Sequence, residues 1–184
     1  MTSVTNKMTV EEFEVYAAKH GRCELIHGEV KQMTPSGSNH GKITSRLNVL
    51  IGSHIMTHQL GDAFAAETGF RLVSDEGPVV RAPDFAFIAT ERATGETTSS
   101  FETTVPDLII ETVSPNDTQQ DVSEKILWWL RSGVREAWVA DPANKTITLH
   151  WPDGTSRRFG VDQSVDDSKV LPGLTVELSK VFTQ

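Results

Sequence analysis

The 184 residues include 38% apolar and 23% charged side chains with 13 Gly and 8 Pro, an ordinary globular composition that excludes collagen, coiled coil and extended disorder. With 17 Lys and Arg against 25 Asp and Glu the net charge is −8, so the molecule as a whole repels phosphate backbones and is no general nucleic-acid coater. One cysteine, Cys23, excludes an internal disulfide framework and a cysteine-built zinc site, and points to a reducing compartment.

Thr9-Val10-Glu11-Glu12 fits a capping box, and Phe13, Tyr16 and Ala17 recur at helical spacing, which predicts a short amphipathic helix over 10–20. A hairpin follows, with strands 23–26 and 29–33 around the two-residue loop His27-Gly28. Residues 34–39 are loop chemistry. His40 then opens a long helix whose apolar face is Ile43, Leu47, Leu50, Ile51 and Ile55. From residue 63 the period shifts towards two, predicting strands over 63–73, 84–89 and 107–113, with residues 90–104 as a mobile loop rich in Thr, Ser, Gly and Glu. Asp117 or Thr118 caps a second helix with Val122, Ile126, Trp129 and Leu130 inward, closed by Gly133. A strand over 134–140, a turn at Asp141-Pro142, a hairpin of 145–151 with 155–159, and a tail at 171–174 complete the chain. Trp128, Trp129, Trp138 and Trp151 suit core or dimer packing better than base stacking. No apolar run is long enough for a signal peptide or a membrane span, so the expectation is one soluble cytoplasmic domain over 1–184 with no membrane partner.

Charge is unevenly spread. Between Val30 and Gly61 there is no acidic residue, while Lys31, Lys42, Arg46 and three histidines fall there. If the protein touches a polyanion, His40, Lys42 and Arg46 are the candidate contacts; a solvated basic helix face is the competing explanation.

Three carboxylates stand where a charge needs a reason. Asp84 follows Pro83 at a strand start, Glu111 ends an apolar strand, and Glu24 opens the first hairpin. Strand alternation puts Asp107, Ile109 and Glu111 on one face, and pairing of the two strands would bring Asp84 and Glu111 together at one sheet end. Such crowding is most simply explained by a hard divalent cation with oxygen ligands. Lys125 lies at the edge of its helix's apolar face, able to lean over that sheet end. One metal, two or three carboxylates and a lysine make a constellation for phosphodiester hydrolysis. Each residue also has a plainer use: Asp84 in a turn, Glu111 in a salt bridge, Lys125 snorkelling, His40 as a local cap.

The motifs Pro83-Asp84, Pro106-Asp107-Leu-Ile-Ile-Glu111-Thr-Val-Ser-Pro115, Glu124-Lys125 and Gly133-Val134-Arg-Glu-Ala-Trp138-Val-Ala-Asp141-Pro142, in this order, resemble those of the Uma2 family (DUF820). The likeness runs from Met8-Thr-Val-Glu-Glu-Phe13 and Glu24-Leu-Ile-His-Gly-Glu29 to Leu171-Pro-Gly-Leu174. The resemblance implies a PD-(D/E)xK restriction-endonuclease-like fold: an α/β (α+β mixed sheet) core with flanking helices and an N-terminal helix–hairpin extension. It also implies Mg2+ (or Mn2+)-dependent endonuclease chemistry on nucleic acid, DNA above all, and a homodimer. Mapped onto this chain, Asp84 and Glu111 would be metal ligands, Glu24 an added acidic ligand, and Lys125 the catalytic lysine. The position two after Glu111, where the superfamily signature places lysine, is Val113, so Lys125 would have to serve from the following helix. Two rivals remain: a degenerate member acting as a DNA-binding or protein-interaction module, and a hydrolase of small phosphodiesters.

Overall fold

Short-range signals set most of the elements. The computed structural model describes residues 7–72, 74–95 and 100–183; residue 73 of the expected strand and residues 96–99 of the expected loop lie outside these. Helix α1 (Val10–His20) starts at the capping box, with Thr9 accepting from the Glu12 N–H and the Glu12 carboxylate accepting from the Thr9 N–H. Strands β1 (Cys23–Ile26) and β2 (Glu29–Gln32) form the hairpin, whose turn residues His27 and Gly28 both take positive φ, 51° and 85°, matching the twist of the flanking strands. Helix α2 (Ser38–His58) begins two residues earlier than expected, so His40 lies in its first turn and is buried.

The expected strand over 63–73 is two strands in two different sheets, β3 (Gly61–Ala65) and β4 (Phe70–Leu72). Glu67, at φ 83°, breaks the extended run. Strand β5 (Val79–Arg81) is too short to show a period. Strands β6 (Phe85–Ala89) and β7 (Leu108–Thr112) fall within the expected bounds. The segment between them is not loose at its far end: the Arg71 N–H donates to the Glu102 carbonyl at 2.8 Å and the Glu102 N–H to the Gly69 carbonyl at 2.9 Å. Helix α3 (Gln119–Arg131) takes Thr118 as its cap, in a box with Asp121. Then come β8 (Glu136–Asp141), β9 (Thr146–His150), β10 (Ser156–Gly160), β11 (Ser164–Val165), β12 (Val176–Glu177) and α4 (Leu178–Phe182), the last three unanticipated.

A six-stranded sheet in the order β10-β9-β8-β7-β6-β3 is antiparallel except where α3 carries the chain from β7 to the parallel β8. Alternate side chains feed its two faces. Phe85, Phe87, Leu108 and Ile110 pack with Ile43, Leu47, Ile51 and Ile55 of α2, while Ala86, Ile88 and Ile109 pack with Ile126 and Trp129 of α3. The four-stranded sheet β2-β1-β5-β4 carries α1 and leans on α3 through Phe70, whose ring meets Trp129 edge-on at 6.4 Å. On β8 a fully buried carboxylate, Glu136, accepts from Trp138 Nε1, Trp151 Nε1, Ser168 Oγ and the Lys169 N–H at 2.7–2.8 Å, which tethers the 168–169 segment to the sheet. Among the described residues no helix is long and apolar enough to cross a membrane.

Candidate active site

Three elements of separate origin meet at one end of the β6–β7 pair. Phe85 stands opposite Ile110, so the next position outward sets Asp84 against Glu111. Glu111 shares the α3 face with Ile109, two residues before it. There Lys125 Nζ donates to Glu111 Oε2 at 2.9 Å, and Trp129 Nε1 donates to Glu111 Oε1 at 3.0 Å. Glu24 comes from the second sheet: β5 pairs with β1, the chain then runs from Arg81 to Asp84, and on the way the Ala82 N–H donates to Glu24 Oε1 at 3.2 Å. Lys125 Nζ lies 3.8 Å from the same Glu24 oxygen, so its ammonium bridges the two glutamates. Asp84 faces the other way, towards α2: Oδ2 accepts from the Thr112 N–H at 2.8 Å and lies 3.2 Å from His40 Nε2. Thr44 Oγ1 donates to Thr112 Oγ1 at 2.9 Å and fixes α2 against β7 beside it.

The two carboxyls are driven apart in acidity. Burial pushes Glu111 up to about 7, with the charges of Asp84 and Glu24 adding to it and Lys125 only partly opposing. Burial acts on Asp84 too, but hydrogen bonds from His40 and the Thr112 amide, with the positive charge of Lys125, outweigh it and hold Asp84 below the usual carboxylate value. The hydrogen bond to Asp84 raises the His40 imidazole although burial opposes it. Burial also opposes the Lys125 ammonium, yet Glu111 and Glu24 more than compensate and keep it firmly charged. Pairs of carboxyls with separated pKa values mark sites where one stays ionised while the other exchanges a proton.

Asp84, Glu111 and Glu24 thus line one cleft with Lys125. Among the described residues no three His, Cys, Asp or Glu side chains form a metal-ligand cluster; the ammonium of Lys125 lies against two of the three carboxylates. The donor set still suits a hard divalent cation. It offers carboxylate oxygens, and a carboxyl held at about 7 beside a lysine shows that one ammonium does not compensate the buried negative charge.

His40, expected as a nucleic-acid contact or a local cap, is built into the site through Asp84. Lys42 is exposed and does not line the cleft, while Arg46 Nη1 donates to the Val181 and Thr183 carbonyls and so closes the end of α4. The site opens into a cleft of about 690 Å3 lined by Glu24, Asp84, Glu111, Lys125, Arg81 and Trp128 among others, with Val113 also on its wall. Sequence reasoning passed over Arg81 and the polar role of Trp129. An arginine three residues before Asp84 was the available signal for the first. For Trp129, the apolar pattern concealed the indole N–H.

Residues 10–179 match the Uma2 family, described as a putative restriction endonuclease. The crystal structure of a putative nuclease belonging to DUF820 from Anabaena variabilis has a TM-score of 0.80 to this chain at 23% identity, covering 96% of this chain and 98% of that one. At that identity the likeness concerns the fold, and it is the mixed α/β arrangement expected from the sequence. No curated protein matches the chain.

Proposed function

The chain belongs to the Uma2 family, and from that premise we propose that it is a divalent-metal-dependent endonuclease that hydrolyses phosphodiester bonds of nucleic acid, DNA above all. The observation that carries this reading is the meeting of Asp84, Glu111 and Lys125 at one sheet end, from segments distant in the chain. Asp84 and Glu111, with Glu24 beside them, would hold Mg2+ or Mn2+, which when bound lowers the pKa of water and stabilises charge on the phosphoryl oxygens. Lys125 supplies a fixed positive charge in a largely desolvated place, able to orient a water or to face the developing phosphorane charge. His40 and the Thr112 amide keep Asp84 ionised and aimed. Trp129 holds Glu111 from behind through its indole N–H.

Plasmid nicking in the presence of Mg2+ or Mn2+ tests the reading. Wild type should cut, and Asp84→Ala and Lys125→Ala should each lose at least roughly a hundredfold in rate. Intact plasmid with wild type under both metals would refute it. A second reading, hydrolysis of small phosphodiesters, draws support from the net charge of −8 and from the engagement of Arg46 away from the cleft. Turnover of bis(p-nitrophenyl) phosphate without plasmid cleavage would select it.

A further inference from the structure

Arg81 is a cation in the cleft that the hydrolytic chemistry leaves unused. It ends β5, three residues before Asp84, and faces the same cavity as Glu111 and Lys125. Lys125 lies against two glutamates. Arg81 does not: among the described residues it has no carboxylate partner, and its buried Nε has no hydrogen-bond acceptor. Its guanidinium lies instead over the Trp128 ring, with Cζ 4.7 Å from the centroid. A cation–π contact of this kind fixes the plane of the guanidinium while leaving its N–H fork free. A guanidinium held flat over a ring at the wall of a cleft, with no carboxylate against it among the described residues, has the planar geometry of phosphate recognition.

Resting on the phosphodiester reading above, we propose that Arg81, oriented by Trp128, binds a backbone phosphate of the nucleic acid beside the one that reacts. The arrangement adds an oriented guanidinium to a cleft whose wall also carries Arg22 and Lys31. A protein of net charge −8 whose Arg46 closes a helix end needs a local cation to hold a polyanion at the carboxylates. The contact binds substrate and takes no proton, so its effect belongs in affinity.

Binding is read without turnover, in EDTA, by anisotropy of a short fluorescein-labelled DNA duplex over a salt series. Loss of one phosphate contact in Arg81→Gln should weaken binding by roughly tenfold at low salt and lower the slope of log Kd against log salt by about 1. Arg81→Lys keeps the charge without the fork, so it should retain the slope and lose part of the affinity. Since Arg81 holds no polar partner among the described residues, both variants should melt close to the wild type, and Arg81→Lys carries the test should the glutamine variant melt early. Unchanged affinity and slope in Arg81→Gln, with plasmid nicking intact in wild type and lost in Lys125→Ala, overturns the assignment and leaves the nuclease reading in place. Absence of duplex binding by wild type, with inorganic phosphate raising the melting temperature of wild type but not of Arg81→Gln, sinks the nucleic-acid reading and upholds Arg81 as a phosphate site. If wild type neither binds the duplex nor nicks plasmid, and phosphate stabilises it no more than Arg81→Gln, both fall.

Discussion

Replacing Glu111 by glutamine separates the electrostatic cost of the site from its chemistry. Burial first, then the nearby charges of Asp84 and Glu24, raise the Glu111 carboxyl from an ordinary 4.5 to about 7 in spite of Lys125. At about 1.4 kcal/mol per tenfold change in proton affinity, that separation corresponds to roughly 3 kcal/mol by which an ionised Glu111 burdens the fold. The folded value lies above the unfolded one, so between pH 4.5 and 7 the unfolded chain binds fewer protons and wild-type stability falls as pH rises through that window. Glutamine at 111 has no charge to desolvate and no such slope. Its amide oxygen can accept from Trp129 or from Lys125 but not fully from both, which gives back about 1 kcal/mol. Glu111→Gln should therefore exceed wild type by about 1–2 kcal/mol at pH 8, with the advantage gone below pH 4.5. Urea unfolding in EDTA at both pH values measures it, and the same variant should show no thermal shift with Mn2+. A variant less stable than wild type at pH 8, or a difference that does not change with pH, would refute the claim that the buried carboxylate is under-compensated.

Three further outcomes follow from the packing. Glu136→Ala strands two indole N–H groups, a hydroxyl and a backbone amide, so it should cost about 4 kcal/mol and lower the melting temperature by roughly 8–16 °C, with Glu136→Gln near half of that. Asp107 is held below the usual carboxylate value: burial opposes its charge, but the Ala89 N–H and the guanidiniums of Arg92 and Arg135, at 2.7 and 2.9 Å, outweigh it. Its contribution is present above the ordinary 3.8 and is lost as pH falls through the lower folded value, so the deficit of Asp107→Asn, about 2 kcal/mol at pH 6, should shrink steadily in acid titrations followed by circular dichroism. Arg46→Ala should leave duplex affinity unchanged while lowering stability by about 1 kcal/mol, because its donors serve α4; a loss of affinity beyond about threefold would return the basic face of α2 to the binding surface.

What the sequence determined by itself is whatever short-range chemistry decides. The Thr9–Glu12 box, the His27-Gly28 turn and the 3.6-residue stripe of α2 each require only a few neighbours. Alternation in 107–111 likewise put Glu111 on a named face, and the apolar run beside it made the charge conspicuous. The tertiary structure alone decided which distant groups meet. A period of two continues through residues 63–73, yet β3 pairs with β6 and β4 with β5 in different sheets, with Glu67 at positive φ breaking the run between them. Helical spacing placed Lys125 at the edge of a face; that its ammonium reaches both Glu111 and Glu24 depends on how α3 returns between β7 and β8 and on where the second sheet leans. Arg46 and Arg81 make the same point from opposite directions: equal in charge along the chain, one is consumed by the end of α4 and the other is left free over Trp128. Identity and local pattern fix what a side chain can do, whereas its partners, desolvation and acidity depend on contacts across the fold, which no short window of residues contains.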